Sequence, residues 1–208
     1  THQDVDVVLF TGSVETARTL SRLMHKRPEL PIMMQCGGKG TALVLSDAEI
    51  DRAVYEVMVG AFLTAGQRHN STGRVIVADA VYDRFTQVLV DKTRNLQVGY
   101  GFEPGVFMGP LISENLRTRF RRFSRSLVGM GHTMLLESEP PTGTGRGFYV
   151  RPCILGVNWE EANPVLEIEP PGPTLLVYRV SDWQEGVALH NQVEARISTS
   201  VFTTPDNP

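Results

Sequence analysis

Few side chains in this chain could attack a carbonyl, and two of them stand beside glycines. His69 lies in Ala65-Gly66-Gln67-Arg68-His69-Asn70, and Cys36 lies in Gln35-Cys36-Gly37-Gly38-Lys39-Gly40. A neutral, well-placed imidazole can add to a carbonyl, and a thiolate does so more readily. Gln35 offers hydrogen bonds but no lone pair basic enough to take a proton. Gly12-Ser13 ends an apolar run at a helix start, where backbone N–H groups could cradle a phosphate, although an ordinary strand-to-helix turn fits equally well. Glu169 puts a carboxylate on the proline-rich bend Glu169-Pro170-Pro171-Gly172-Pro173. No cluster of His, Cys, Asp and Glu has metal-ligand spacing, so no metal is expected. The simpler reading of His69 is a helix-end histidine bonded to nearby backbone or to Asn70. That of Cys36 is a small apolar filler, and Cys153, just before Ile154 and Leu155, reads as core.

The elements that must hold these residues alternate. Val5 to Phe10 reads as a short buried strand, Val14 to Lys26 as a helix closed by Pro28 and Pro31, and Leu30 to Met34 as a second strand. Ala42 to Leu45 is a third strand. Ser46-Asp47-Ala48-Glu49 has the spacing of a capping box, with Ser46 as cap. The helix that follows, carrying Ile50, Val54, Val57, Met58, Ala61 and Phe62 on one face, delivers Gly66 to His69 at its far end. Strands at 74–78, 133–136, 148–155, 174–180 and 197–203 and helices at 82–96, 113–130 and 182–191 complete the pattern. Asn158 to Pro173, with four prolines, reads as irregular. Such alternation predicts an α/β fold with a largely parallel sheet and flanking helices.

Composition narrows the partners. The 208 residues carry a net charge of −3, are 41% hydrophobic and 21% charged, and have a mean hydropathy of −0.11. These are the values of an ordinary globular chain. The acidic balance argues against nucleic acid, and no apolar run reaches membrane-spanning length. Arg117, Arg119, Arg121, Arg122 and Arg125 form a basic run, but the interleaved Phe120 and Phe123 have the spacing of a core face, which leaves the arginines solvated. Two cysteines give no disulfide scaffold, and a reducing, cytoplasmic setting is expected.

Collinear segments resemble the aldehyde dehydrogenase superfamily. Gly66-Gln67-Arg68-His69 resembles its nucleophile loop, where the family has cysteine at the position of His69. Gln35-Cys36-Gly37-Gly38-Lys39 resembles its Glu-Leu-Gly-Gly-Lys segment, with Gln35 at the general-base glutamate. Leu9 to Ser13 resembles the strand and turn that meet the NAD pyrophosphate. Gly109-Pro110-Leu111-Ile112 matches the family's Gly-Pro-Leu-Ile, Glu169 to Pro173 its Glu-X-Phe-Gly-Pro, and Ser198 to Thr203 the strand after its Tyr-Gly-Leu. Ala61 to Arg68, Leu9 to Ser13 and Leu111 to Glu114 lean toward succinylglutamate semialdehyde dehydrogenase.

The resemblance implies a division into residues 1–28, the tail of a dinucleotide-binding domain, 29–203, a catalytic domain, and 204–208, a truncated end; both ends read as cut from something larger. It implies NAD or NADP as cofactor, held by Gly12, Ser13, Cys36, Gly37 and Glu169. Ala17 replaces the family's second glycine, and Pro171 replaces the aromatic residue two after the glutamate, so weak or absent cofactor binding is expected. The family reaction needs a thiolate to attack the aldehyde and a carboxylate to activate water for hydrolysis of the thioester. His69 and Gln35 supply neither. The expectation is therefore a pseudoenzyme of semialdehyde oxidation; an active enzyme with a relocated nucleophile (Cys36 or His69) and a structural or oligomerisation module are the alternatives. The expected partners are a small aldehyde if active, and either further copies of the chain or the rest of a longer one, with neither nucleic acid nor membrane.

Overall fold

The computed structural model describes residues 2–38, 40–158, 165, 168–192 and 197–204. Lys39 of the second glycine segment, most of 159–167, and the last four residues of the expected truncated end lie outside them. The chain divides into two compact units, Thr1–Gly38 and Lys39–Pro208.

In the first unit, β1 (Val8–Gly12) and β2 (Ile32–Cys36) run parallel and are joined by helix α1 (Val14–Met24). Parallel neighbours require such a crossover. Ser13 caps α1, its Oγ accepting from the Thr16 N–H at 3.2 Å. Both strands begin two or three residues later than the sequence suggests. The expected burial of the first strand is not met: Leu9 is 71% exposed, and so, at 67%, is Met33, its register partner on β2. Arg27 pins the leading segment by donating to the carbonyls of His2 and Val5 and pairing with Glu29 at 2.9 Å. That ion pair holds the Glu29 carboxyl below its ordinary value.

The second unit is a six-stranded sheet. Its strands are β3 (Gly40–Val44), β4 (Thr72–Ala78), β5 (Thr133–Leu136), β6 (Cys153–Val157), β7 (Thr174–Val180) and β8 (Thr199–Phe202), in the spatial order β5-β6-β7-β4-β3-β8. Every pair is parallel except β5 with β6. Helices α2 (Ile50–Phe62), α3 (Asp79–Arg94), α4 (Glu114–Gly129) and α5 (Trp183–Asn191) flank it. This is the α/β fold, largely parallel with flanking helices, that the alternation predicts.

The period-2 geometry of strands sorts the helices onto faces. Gly186 of α5 lies against Ile76, Val180 and Leu43, so α5 covers the face to which those side chains point. Arg179, of opposite parity, stacks 5.0 Å over Tyr82 and pairs with Asp79 and Asp83, which puts α3 on the other face. α2 packs beside α3 and buries Ala53, Val54, Val57, Met58, Ala61 and Phe62 at helical spacing. Fully buried Phe62, Phe85 and Phe120 each contribute roughly 1.5–3 kcal/mol of transfer free energy. Ser46 does not cap α2. Glu49 does, its carboxylate accepting from the Arg52 N–H at 3.1 Å, so the cap lies three residues beyond the expected one.

Candidate functional site

The Gly66 to His69 segment is shaped by how α2 stops. Leu63 follows the helix, and Ala65 (φ 53°) and Gly66 (φ 62°) then take left-handed conformations in succession. Such a reversal ends a helix because the chain leaves its axis, while the Ala65 N–H still bonds back to the Phe62 carbonyl at 2.8 Å. Glycine adopts this φ freely, whereas Ala65 adopts it at a cost of about 1 kcal/mol. Both residues are buried, and the chain emerges exposed from Gln67 to Asn70. Arg68 and Ser71 then close a tight turn: the Arg68 N–H donates to Ser71 Oγ and the Ser71 N–H to the Arg68 carbonyl, each at 3.1 Å. The Ser71 carbonyl accepts from the Gly40 N–H at 2.8 Å, anchoring the turn to the start of β3.

Gln67 ties two of the sequence motifs together. Its Nε2 donates to the carbonyls of Thr64 and Pro110, both at 3.3 Å, and its Oε1 accepts from the Ile112 N–H at 2.8 Å. One amide thus satisfies the Pro110 carbonyl and the Ile112 N–H, while the Leu111 N–H between them donates to the Phe148 carbonyl at 3.1 Å. This gives the glutamine of Gly-Gln-X-His a structural task. His69 itself is exposed and forms no hydrogen bond or ion pair with a described residue, so the expected bond to Asn70 or to nearby backbone is absent.

Five residues beyond His69, β4 buries a charge. Arg74 is 3% exposed, and its Nη2 donates to the Ile168 carbonyl at 2.7 Å. Burial pushes its guanidinium below the ordinary value, while the neighbouring Tyr178 phenol and the Glu169 carboxylate act in the opposite sense. Arg74 and Tyr178 share a face of the sheet, since Arg74 pairs with Leu176 and Ile76 with Tyr178. Burial raises the Tyr178 phenol to about 12. Glu169 is exposed, one residue beyond the carbonyl that Arg74 grips. Glu169 stands out in the sequence, whereas Arg74 does not. The available signal is an arginine directly before Val75-Ile76-Val77-Ala78, a run that is apolar throughout and buried on both faces.

In the first unit the register places Gly12 opposite Cys36 and Thr11 opposite Gln35. Gly12, Ser13, Gln35, Cys36 and Gly37 therefore gather at the carboxyl end of one parallel pair, beside the N-terminus of α1. Ligands of open α/β sheets bind at such ends, and a helix N-terminus there suits an anion. The Gly37 N–H reaches the Gly12 carbonyl at 3.4 Å. A Cβ at Gly12 would lie 2.5 Å from Cζ of Phe10, whose half-buried ring would have to swing aside. Cys36 is half-buried, not the enclosed filler that its apolar surroundings suggest. Cys153 is buried in β6, 3.7 Å from Met134 Sδ, and burial raises its thiol to about 12, which keeps it inert.

Among the described residues no group of three or more His, Cys, Asp or Glu could hold a metal ion, and no helix is long and apolar enough to cross a membrane.

Comparison with known proteins bears on both units. The profile of the aldehyde dehydrogenase family matches residues 1–207. The chain is 31% identical over 204 residues to a chloroplastic betaine aldehyde dehydrogenase of Beta vulgaris, covering 97% of this chain and 40% of that protein. It is 29% identical over 205 residues to an alpha-ketoglutaric semialdehyde dehydrogenase of Bacillus subtilis (strain 168), covering 97% and 41%. An aldehyde dehydrogenase of Mycobacterium tuberculosis, solved with NAD+, superposes with a TM-score of 0.89 at 25% identity, over 98% of this chain and 42% of that one. The chain thus spans about two-fifths of the length of the relatives it matches.

Proposed function

The chain belongs to the aldehyde dehydrogenase family, and on that premise we propose that its inherited reaction, NAD(P)-dependent oxidation of an aldehyde, is impaired because His69 and Gln35 stand where the family has its nucleophile and its base. The observation that carries this reading is His69: it heads the Gly66-Gln67 loop, open to water, with no described group to orient it or take its proton. Nucleophilic catalysis needs an activated, held side chain. An imidazole there also cannot form the thioester that the family's second step hydrolyses, and the Gln35 amide cannot accept the proton of an attacking water. The substrate class of this reading is an amino-acid-derived semialdehyde, with succinylglutamate semialdehyde as the first candidate.

The cofactor reading fits in its backbone and fails in its side chains. Gly12 and Ser13 would present N–H groups to the pyrophosphate, Cys36 and Gly37 would flank the nicotinamide end, and Glu169 would meet the ribose. The group, when bound, would accept hydride. Ser13 already caps Thr16, Ala17 carries a methyl where the family has glycine, and Pro171 gives no aromatic wall. These features support weak binding of NAD or NADP. In domain terms we read residues 1–28 as the end of a dinucleotide-binding domain and 29–203 as the catalytic domain, in a protein that assembles with further copies or with the rest of a longer chain.

The test is NADH formation across a panel of semialdehydes by the protein and by its His69→Cys, Gln35→Glu double variant. The expected result is a silent natural protein and a double variant that turns over. Turnover by the natural protein that is lost in Cys36→Ala would overturn the proposal in favour of a relocated nucleophile. Silence of both proteins would overturn the claim that only two side chains stand between the fold and the reaction, and would leave the chain as a structural or oligomerisation module.

A further inference from the structure

Charge in this molecule is sharply divided. Helix α4 holds five arginines against one glutamate, a formal +4 in a chain of net charge −3, which leaves −7 on the remainder. Leu116, Phe120, Phe123 and Leu127 form the inner face, with Phe120, Phe123 and Leu127 buried. Arg117 is absorbed by the fold: it pairs with Glu114 and lies 5.5 Å over the Phe148 ring. Arg119, Arg121, Arg122 and Arg125 are exposed, and none pairs with a described carboxylate.

We propose that the outer face of α4, formed by Arg121, Arg122 and Arg125 and continued by Val128, docks an acidic segment of a partner protein. Positions 121, 125 and 128 follow one another at i, i+4 and i+7, so they share a face. Arg121 and Arg125 stand about 6 Å apart along the axis, from the rise of about 1.5 Å per residue. That matches carboxylates one turn apart on a facing helix, and guanidinium forks take carboxylates bidentately. Val128, 44% exposed, extends the basic stripe with an apolar contact in the last turn of the helix.

Charge complementarity selects this occupant over other polyanions. A nucleic acid would find no aromatic platform beside the three arginines, because Phe120 and Phe123 point inward, and the chain's net charge of −3 opposes it. A membrane surface favours a helix that can sink its apolar face, and that face of α4 is committed to the core. A short acidic segment covers the stripe and little else.

Fluorescence anisotropy of a labelled 12-residue helical peptide with glutamates one turn apart and one leucine tests the proposal. Its glutamine counterpart, a 12-nucleotide oligo-dT and vesicles containing phosphatidylserine serve as competitors at equal salt. The expected result is binding at least tenfold tighter for the glutamate peptide than for the glutamine one. Arg121→Gln, Arg122→Gln, Arg125→Gln should weaken it at least tenfold with an unchanged Tm, and Val128→Ser several-fold. No binding of the glutamate peptide, equal binding by the triple variant, or tighter binding of the oligonucleotide or the vesicles would overturn the proposal.

Discussion

Arginine is used in two opposite ways in this protein. Arg74 sits in the central strand β4, nearly sealed from water, and grips a carbonyl 94 residues away in sequence. The outer arginines of α4 stand in solvent and grip nothing among the described residues. A buried guanidinium loses hydration and must recover it from fixed partners, so its neighbours are committed to it. An exposed guanidinium keeps its water and stays available. The contrast separates a residue that stabilises this chain from residues free to act on another.

Removing the buried member should have the largest effect. Arg74→Ala deletes a charge-assisted hydrogen bond to the Ile168 carbonyl and leaves a void in the sheet, for a loss of about 4 kcal/mol by urea unfolding. Arg74→Lys should recover little of it, because one ammonium cannot replace the planar fork. A loss below about 1 kcal/mol for Arg74→Ala would show that the buried arginine is no more committed than the exposed ones.

Tyr178, on the same buried face, sharpens the comparison through pH. Burial lifts its phenol from the ordinary 10 to about 12, so folding favours the neutral form. The associated stability is present in full below pH 10 and is lost as pH rises through 12, by about 2–3 kcal/mol. Unfolding curves at pH 9 and pH 11.5 should therefore lie closer together for Tyr178→Phe, which lacks the titrating group, than for the natural protein. A loss of equal size in both proteins would remove Tyr178 from the account.

The smallest effect belongs to α4. Substituting Arg121, Arg122 and Arg125 together by glutamine should change stability by no more than about 0.5 kcal/mol, since exposed charges contribute little. A loss comparable to that of Arg74→Ala would mean that these side chains hold the fold together and are not free for a partner.

Local chemistry made much of the architecture readable before any coordinates. The Ser113 cap of α4, the strand at 174–180 and the inward spacing of Phe120 and Phe123 all follow from interactions within a turn or two of chain. Even locally there were competitors. The capping-box spacing points to Ser46, yet Glu49 caps α2. The first strand reads as buried because its residues are apolar, yet Leu9 and Met33 lie exposed side by side, since apolar composition says nothing about which face has a neighbour.

By itself the sequence determined the alternation of strands and helices, the glycine-marked turns, the family and the identity of the residues at positions 35 and 69. Periodicity, turn chemistry and side-chain type are properties of short stretches of chain. The tertiary structure alone decided that Gln67 would bind Pro110 and Ile112, that Arg74 would reach Ile168, and that Gly12 and Cys36 would share the end of a strand pair. Those outcomes depend on strand register and loop closure between residues far apart in the chain, and no local preference encodes either.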